Sequence, residues 1–340
     1  MSEITCCSCT AHSPYVVLAY YFFTSIQDPH LEVSRHKEFL QDQDIRCRVY
    51  ISEEGINGQM SASEAGAVAY QQWLKQDPRF KDVVFKIHAC EGHVFPRAIV
   101  KYRQQIVALD EKVDMALTGE RLSPAQWKEM LQQRDDKTLV LDVRNDYEWV
   151  IGHFEGAALP ALETFRTFPK YARRLKEERD LKETKIMMYC TGGIRCELYS
   201  ALLKQEGFEQ VYQLDGGIIN YGLQEGSAEW RGKLFVFDDR LAVPIDGKTE
   251  DVISCCQFCQ APSDVYYNCA SMDCNELFLS CPECAEKLQG CCSDKCTGST
   301  RLRPYEKRQR PRPFRRAHHY NSTGNESAQA PGSGSPGGQQ

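Results

Sequence analysis

The apolar run Ile186-Met187-Met188-Tyr189 ends in Cys190-Thr191-Gly192-Gly193-Ile194-Arg195-Cys196, and a helix-like stretch from Glu197 to Gly207 follows. A strand, a glycine turn and a helix in that order point to an α/β arrangement, in which such junctions lie beyond the carboxyl end of a parallel sheet. A cysteine there has the surroundings of a nucleophile. Gly192 and Gly193 let the backbone curl so that several N–H groups face the sulfur. The helix start and Arg195 add positive potential, and all of these favour thiolate over thiol. A buried structural cysteine beside a glycine turn is the commoner situation in proteins; the composition of this loop weighs against it.

At 340 residues and 42% apolar content, the chain is long enough for two or three domains. No apolar run approaches membrane-spanning length. The longest near the N-terminus, Val16 to Phe23, has no basic residue before it, so neither a signal peptide nor a transmembrane helix is expected. A cytoplasmic protein without membrane contact is the expectation. In that compartment seventeen cysteines argue for metal sites and reactive thiols rather than disulfides. The net charge of −6 is unevenly spread, because residues 301–340 carry eight Lys and Arg against Glu306 and Glu326. An acidic body with a basic tail results.

Residues 1–14, with Cys6, Cys7 and Cys9, read as a flexible N-terminus. From 15 to 110 the pattern is strand Val16–Phe23, helix Leu31–Leu40, strand Ile45–Ile51, a turn over Glu53–Gly58, a short strand, helix Ser63–Leu74 and strand Val83–Ala89. That order, β-α-β-β-α-β, is ferredoxin-like. A further strand-like stretch lies within Arg97–Leu109, and Ser123-Pro124 supplies an N-cap and first helical residue. The region 122–226 alternates strands with helical stretches such as Gln126–Gln133, which implies a mostly parallel sheet covered on both faces. Arg166, Lys170, Arg173, Arg174 and Lys176 read as a solvated helix, with nucleic-acid contact as the competing assignment. A connecting segment spans 227–250.

Ten cysteines crowd residues 251–300, arranged as Cys255-Cys256-x2-Cys259, Cys269-x4-Cys274, Cys281-x2-Cys284 and Cys291-Cys292-x3-Cys296. Two C-x2-C corners are a zinc signature, and eight thiolates complete two all-sulfur sites. The expected ligands are Cys256, Cys259, Cys269, Cys274, Cys281, Cys284, Cys292 and Cys296, with Cys255 and Cys291 as possible substitutes for their neighbours. An iron–sulfur cluster is the weaker alternative. Full sulfur coordination leaves no place for water, so the two zinc ions are expected to be structural.

The tail, 301–340, opens with arginines interleaved with aromatic residues and prolines. Arg301, Arg303, Lys307, Arg308, Arg310, Arg312, Arg315 and Arg316 can contact phosphates, while Tyr305 and Phe314 can stack on unpaired bases. A disordered solubilising tail is the other reading, and residues 321–340 are low-complexity Gly, Ser, Pro and Gln.

Cys190 and Arg195 have four residues between them, one fewer than in the cysteine phosphatases, and the six-residue loop resembles the persulfide-carrying loop of rhodaneses. The likeness extends through Leu139-Val140-Leu141-Asp142-Val143-Arg144, Tyr147-Glu148-Trp149, Gly152-His153, Gly156-Ala157 and Val211 to Ile218. Together with Glu54-Gly55-Ile56-Asn57-Gly58, the stretch Trp230 to Pro244 and the cysteine-rich end, the chain resembles the rhodanese-type tRNA uridine hydroxylases from about Val16 to Cys296. The resemblance implies a multidomain α/β and α+β chain with a ferredoxin-like domain, a rhodanese domain and a small zinc module. It also implies hydroxylation of wobble uridine 34 in the tRNA anticodon loop to 5-hydroxyuridine, with molecular oxygen as co-substrate. Where that family has Arg-Glu-Ile-Val, this chain reads Arg103-Gln104-Gln105-Ile106-Val107, and no role is carried over there.

On this reading Cys190 is the nucleophile or persulfide carrier, Arg195 stabilises thiolate and anion, and Cys196 is a candidate redox partner, with Thr191, Gly192, Gly193 and Ile194 forming the loop. No flavin, haem or nucleotide motif accompanies them. Sulfur transfer by a Cys190 persulfide and a zinc-stabilised RNA-binding scaffold are the alternative functions.

Overall fold

The computed structural model describes residues 14–162, 164–248 and 251–306. Cys6, Cys7 and Cys9, the low-complexity end, and Lys307, Arg308, Arg310, Arg312, Arg315 and Arg316 lie outside the described residues. The chain divides into two compact units, one running to Cys256 and including 260–264, the other comprising 257–259 and the residues from Val265 onward.

The first unit opens with β1 (Tyr15–Phe23), α1 (Pro29–Leu40), β2 (Ile45–Ser52), β3 (Gly55–Ser63), α2 (Glu64–Lys75), β4 (Lys86–Cys90) and β5 (Ile99–Tyr102). The strand order is β4-β1-β3-β2-β5. The pairs among β1 to β4 are antiparallel and β5 joins β2 in parallel, which is the ferredoxin-like arrangement with one added edge strand. Both helices start where side chains cap them: Asp28 accepts from the Leu31 N–H at 2.8 Å and Ser63 from the Gly66 N–H at 3.1 Å. The fourth strand begins three residues later than the Val83–Ala89 pattern suggests, because a short 3-10 turn over Pro78–Phe80 precedes it and Val83 packs as a core residue at its end. The expected turn over Glu53–Gly58 is confined to its first residues, since β3 already starts at Gly55 and pairs Asn57 with Tyr21.

The α/β part follows: β6 (Glu120–Leu122), α3 (Pro124–Gln132), β7 (Thr138–Asp142), α4 (Asp146–Trp149), β8 (Gly152–Phe154), α5 (Phe168–Glu178), β9 (Lys185–Tyr189), α6 (Ile194–Gln205), β10 (Gln210–Leu214) and α7 (Gly217–Glu225). Its sheet has the order β6-β10-β9-β7, every pair parallel. Alternation along β9 sorts its side chains between two cores. Ile186, Met188 and Cys190 pack with α5 and α6, whereas Met187 and Tyr189 pack with α3 and α7. Burial on both faces explains the unbroken apolar run in the sequence. Residues 227–248 do more than connect. They form β11 (Trp230–Gly232), β12 (Leu234–Phe235) and β13 (Ala242–Val243), with β11 paired to β8 and Trp230 and Phe235 buried.

The second unit is small: β14 (Tyr266–Asn268) and β15 (Leu277–Leu279) form an antiparallel pair, followed by α8 (Pro282–Lys287) and α9 (Asp294–Thr297). Tyr267, Phe278 and Ala285 join Cys269 and Cys291 in its core. So few apolar side chains rarely suffice to hold a fold, which leaves the remaining cysteines a structural task.

Candidate functional site

Cys190 follows the last residue of β9 and is wholly buried. The helix after it begins at Ile194, three residues earlier than residue types suggest, so Arg195 and Cys196 belong to the first turn of α6 rather than to the loop. The loop therefore turns within Thr191-Gly192-Gly193. Gly193 sits at φ +98°, where a Cβ would also lie 3.0 Å from the Tyr21 hydroxyl, so both backbone and space call for glycine. Its N–H donates to Cys190 Sγ at 3.1 Å. Behind the loop, the N–H groups of Ile218 and Ile219 donate to the carbonyls of Cys190 and Thr191 at 3.0 and 3.1 Å. This close seating requires Gly217, at φ +68°, whose Cβ would stand 2.5 Å from the Cys190 oxygen.

Arg195 is 4% exposed and Glu148, on α4, not at all. The guanidinium grips that carboxylate with both terminal nitrogens, Nη1 to Oε2 at 2.7 Å and Nη2 to Oε1 at 2.8 Å. The Thr191 hydroxyl donates to Glu148 Oε1 at 2.9 Å and the Asn145 N–H to Oε2 at 3.1 Å. Burial pushes the Glu148 carboxyl up, but Arg195 beside it prevails and holds it below the usual carboxylate range. Arg195 is thus fixed in place.

Burial also pushes the Cys190 thiol up. The Cys196 thiol, the Arg195 charge and the N–H groups of Arg195 and Cys196 outweigh that and bring it down to about 6. At neutral pH the sulfur of Cys190 is a thiolate. Cys196 is also buried and goes the other way, raised by burial and by its hydrogen bond to Cys190. The pair therefore consists of one thiolate and one thiol.

The ferredoxin-like part contributes side chains to the same place. Lys86, on β4, is 9% exposed and its ammonium donates to the Gly192 carbonyl at 2.8 Å, lying 4.9 Å over the Tyr21 ring. The Tyr21 hydroxyl, from β1, donates to Glu197 Oε1 at 3.0 Å. Arg121 donates to both oxygens of the same carboxylate, at 3.1 and 2.8 Å. Glu197 thereby ties β1 and β6 to the first turn of α6.

Among the residues quoted from the sequence, Asp142 and Arg144 form a fully buried pair, with Arg144 Nη2 at 2.6 Å from Asp142 Oδ2 and also 2.6 Å from the Gly152 carbonyl. They brace the β7–α4 turn that presents Glu148. Sequence reading assigned no role to Glu148 or Lys86. An acid three residues after Asn145 at a helix start is one available signal for Glu148, and the helix start carries that capping box. A lysine leading the fourth strand gives only a faint one.

The cysteines of residues 251–300 sort into two sets. Cys256, Cys259, Cys281 and Cys284 form one group and Cys269, Cys274, Cys292 and Cys296 another, with the sulfurs in each group within 4.8 Å of one another. Tetrahedral zinc with Zn–S of about 2.3 Å sets its sulfurs about 3.8 Å apart. Separations of 3.7 Å for Cys259–Cys281, 3.5 Å for Cys274–Cys292 and 3.8 Å for Cys292–Cys296 fit that geometry. Both groups can hold a metal ion, and zinc is compatible with each. Cys255 and Cys291 stand outside both groups.

The basic residues fall into two kinds. Arg166 pairs with Asp110, Arg173 with Glu111 and Glu206, Lys176 with Glu206 and Arg174 with Glu178, as a solvated helix would. Arg301 and Arg303, expected to open a free tail, lie against the cysteine-rich unit instead. Arg301 Nη1 bonds Asp273 at 2.7 Å, and Arg303 Nη1 donates to the Cys269 carbonyl at 2.9 Å. Their backbones bond with Met272 and Ala270, so the ordered chain continues past 300. No helix among the described residues is long and apolar enough to cross a membrane.

A buried thiolate at the end of a central parallel strand, cradled by loop and helix N–H groups, defines a rhodanese-class site joined to a ferredoxin-like domain. Sequence profiles agree: residues 15–106 match the UPF0176 acylphosphatase like domain, 123–223 the Rhodanese-like domain and 231–297 the Rhodanase C-terminal domain. The chain is 56% identical over 306 residues to a tRNA uridine(34) hydroxylase of Protochlamydia amoebophila (strain UWE25), covering 90% of this chain and 95% of that one. It is 54% identical to the proteins of the same name from Chlamydia pneumoniae and Chlamydia felis (strain Fe/C-56), each match covering 89% of this chain and 94% of the other. The chain belongs to the tRNA uridine(34) hydroxylase family.

Proposed function

We propose that this chain hydroxylates uridine 34 in the tRNA anticodon loop to 5-hydroxyuridine, with molecular oxygen as co-substrate and Cys190 as nucleophile. The observation that carries this reading is Cys190 at the end of β9 with its sulfur accepting from the Gly193 N–H at 3.1 Å and with the fixed Arg195 charge acting to lower its thiol, an arrangement that favours the thiolate. The name shared by the relatives supports the substrate.

Uracil's C5–C6 double bond is polarised by the C4 carbonyl. The thiolate adds at C6, and the electron pair moves through C5 onto O4 as an enolate, leaving C5 rich enough to take up oxygen. Loss of the C5 proton and expulsion of Cys190 restore the ring. One oxygen atom stays at C5 as hydroxyl. The other leaves as water, which takes two electrons and two protons: closing a Cys190–Cys196 disulfide supplies both electrons, the Cys196 thiol supplies one proton and solvent the second, the one Cys190 gave up on ionising. A dithiol reductant then reopens the disulfide for the next turnover.

On this reading the two cysteine groups hold one zinc ion each in a structural role, the basic residues after 306 contact tRNA phosphates, and the protein works in the cytoplasm, where tRNA is modified. Mass spectrometry of tRNA nucleosides from cells with and without the gene tests it. Loss of 5-hydroxyuridine is the expected result. Loss of thiolated uridine with 5-hydroxyuridine retained would instead assign a persulfide on Cys190 and sulfur transfer.

A further inference from the structure

The Gly192 carbonyl and the Gly193 N–H belong to one peptide unit. Its oxygen accepts from Lys86 Nζ at 2.8 Å, and its N–H donates to Cys190 Sγ at 3.1 Å. Ammonium, peptide and sulfur form a continuous line of hydrogen bonds that starts on the ferredoxin-like domain and ends on the nucleophile.

A peptide between two glycines can turn over easily, because no side chain resists the change in φ and ψ. Nothing stands within 4 Å of a Cβ added at Gly192, so packing on that side does not fix the plane either. Turned over, the unit would aim its carbonyl oxygen at the sulfur and disfavour the thiolate. An ammonium on the oxygen holds the plane the other way and polarises the peptide, strengthening the N–H as a donor to an anion.

We propose that Lys86 is a positioning residue for the rhodanese loop: by holding the Gly192 carbonyl it aims the Gly193 N–H at Cys190, so the ferredoxin-like domain sets how readily the nucleophile ionises. The proposal rests on the reading of Cys190 as a thiolate nucleophile. The setting of Lys86 suits the task. Burial brings its ammonium down to about 8, while Cys190, Asp215 and Glu197 act to keep it charged. The Tyr21 ring covers it, with the hydroxyl of that ring engaged by Glu197. Between about pH 6 and about pH 8 the lysine is therefore charged while Cys190 is already a thiolate. A burial cost borne by a charge that donates to the nucleophile's own loop fits a lysine kept for that contact.

The test is the pH dependence of Cys190 alkylation in the full-length, zinc-loaded chain. Iodoacetamide is the probe, and the Cys190 peptide is read by mass spectrometry so that the other cysteines do not interfere. Lys86→Met keeps length and removes the charge; Lys86→Arg keeps a cationic donor. At about pH 6.5 alkylation of the Lys86→Met protein should be about tenfold slower than wild type, its profile moved to higher pH, with Lys86→Arg restoring most of the rate. A Lys86→Met profile that overlays wild type would overturn the proposal. If Lys86→Met does not fold, Lys86→Gln, which retains a neutral N–H donor, should fall between wild type and the tenfold loss, and an unchanged profile overturns the proposal equally. Failure of the underlying reading is a separate outcome, in which wild-type Cys190 itself titrates near about 8.5 like a free thiol.

Discussion

Glu148 holds Arg195 through both carboxylate oxygens, at 2.7 and 2.8 Å, in a place water does not reach. The charge that favours the Cys190 thiolate is therefore itself anchored, and the anchor comes from a different βα turn.

Removing one partner of such a pair strands the other without solvent. Glu148→Ala should destabilise the first unit by about 3–5 kcal/mol, read by denaturant or thermal unfolding. The folded carboxyl lies below its unfolded value, so its contribution is present above the unfolded pKa, about 4.3, and is lost as pH falls through the lower folded value. Glu148→Gln should thus differ from wild type at neutral pH, with the gap closing in acid. An equal gap at every pH would show that shape, not charge, is what the site needs.

Cys190→Ser replaces a thiolate with a hydroxyl that stays protonated near neutral pH, and wobble-uridine hydroxylation should vanish while fold and tRNA binding persist. Nucleoside mass spectrometry and a thermal melt check the two halves. Cys196→Ser should also abolish turnover if the disulfide supplies the electrons. Full multiple turnover by that variant would exclude the dithiol step while leaving addition by Cys190 intact.

The two loop glycines should behave differently. Gly193→Ala forces a side chain into φ +98° and to 3.0 Å from the Tyr21 hydroxyl, and should cost about 1–3 kcal/mol of stability. A Cβ at Gly192 meets nothing within 4 Å, so Gly192→Ala should fold normally. Comparable unfolding midpoints for the two variants would contradict the loop geometry.

Metal analysis of purified protein should give about two zinc ions per chain. Cys259→Ser should lose one of them and Cys255→Ser neither, since Cys255 stands outside both groups. Chelation should unfold the second unit before the first, because small metal domains draw their folding energy from the ion.

Removing 307–340 takes away Lys307, Arg308, Arg310, Arg312, Arg315 and Arg316 but spares Arg301 and Arg303, which are bound to the cysteine-rich unit. Affinity for tRNA should fall, and its dependence on salt should flatten. Unchanged binding and an unchanged slope would make that segment a solubilising extension.

The architecture was legible because its signals are local. An unbroken apolar run ending in glycines marks a strand buried on both faces, and Ser123-Pro124 marks a helix start, where the structure has Ser123 capping α3. The beginning of α6 was misplaced because Ile194, Arg195 and Cys196 say little by type, whereas the positive φ of Gly193 sets the start. Glu148 and Lys86 leave no such local signal of their roles. Their meaning lies in meeting residues 195 and 192, and nothing within a short window records such a meeting. The eight sulfurs could be picked out by spacing, but their division into groups is a property of the folded chain.

That division is interleaved: the first and third cysteine pairs share one group, the second and fourth the other. During synthesis neither set of four is complete until Cys284 has emerged, and the second waits for Cys296, by which time the whole of the first unit has left the ribosome. A chain cut short anywhere between those two positions keeps one possible cage and exposes two orphaned thiols, Cys269 and Cys274, with Cys292 a third if the cut falls after it. Loss of a short stretch near this end would turn a metal-binding module into a source of adventitious oxidation, so faithful completion of translation is itself a condition for a stable product.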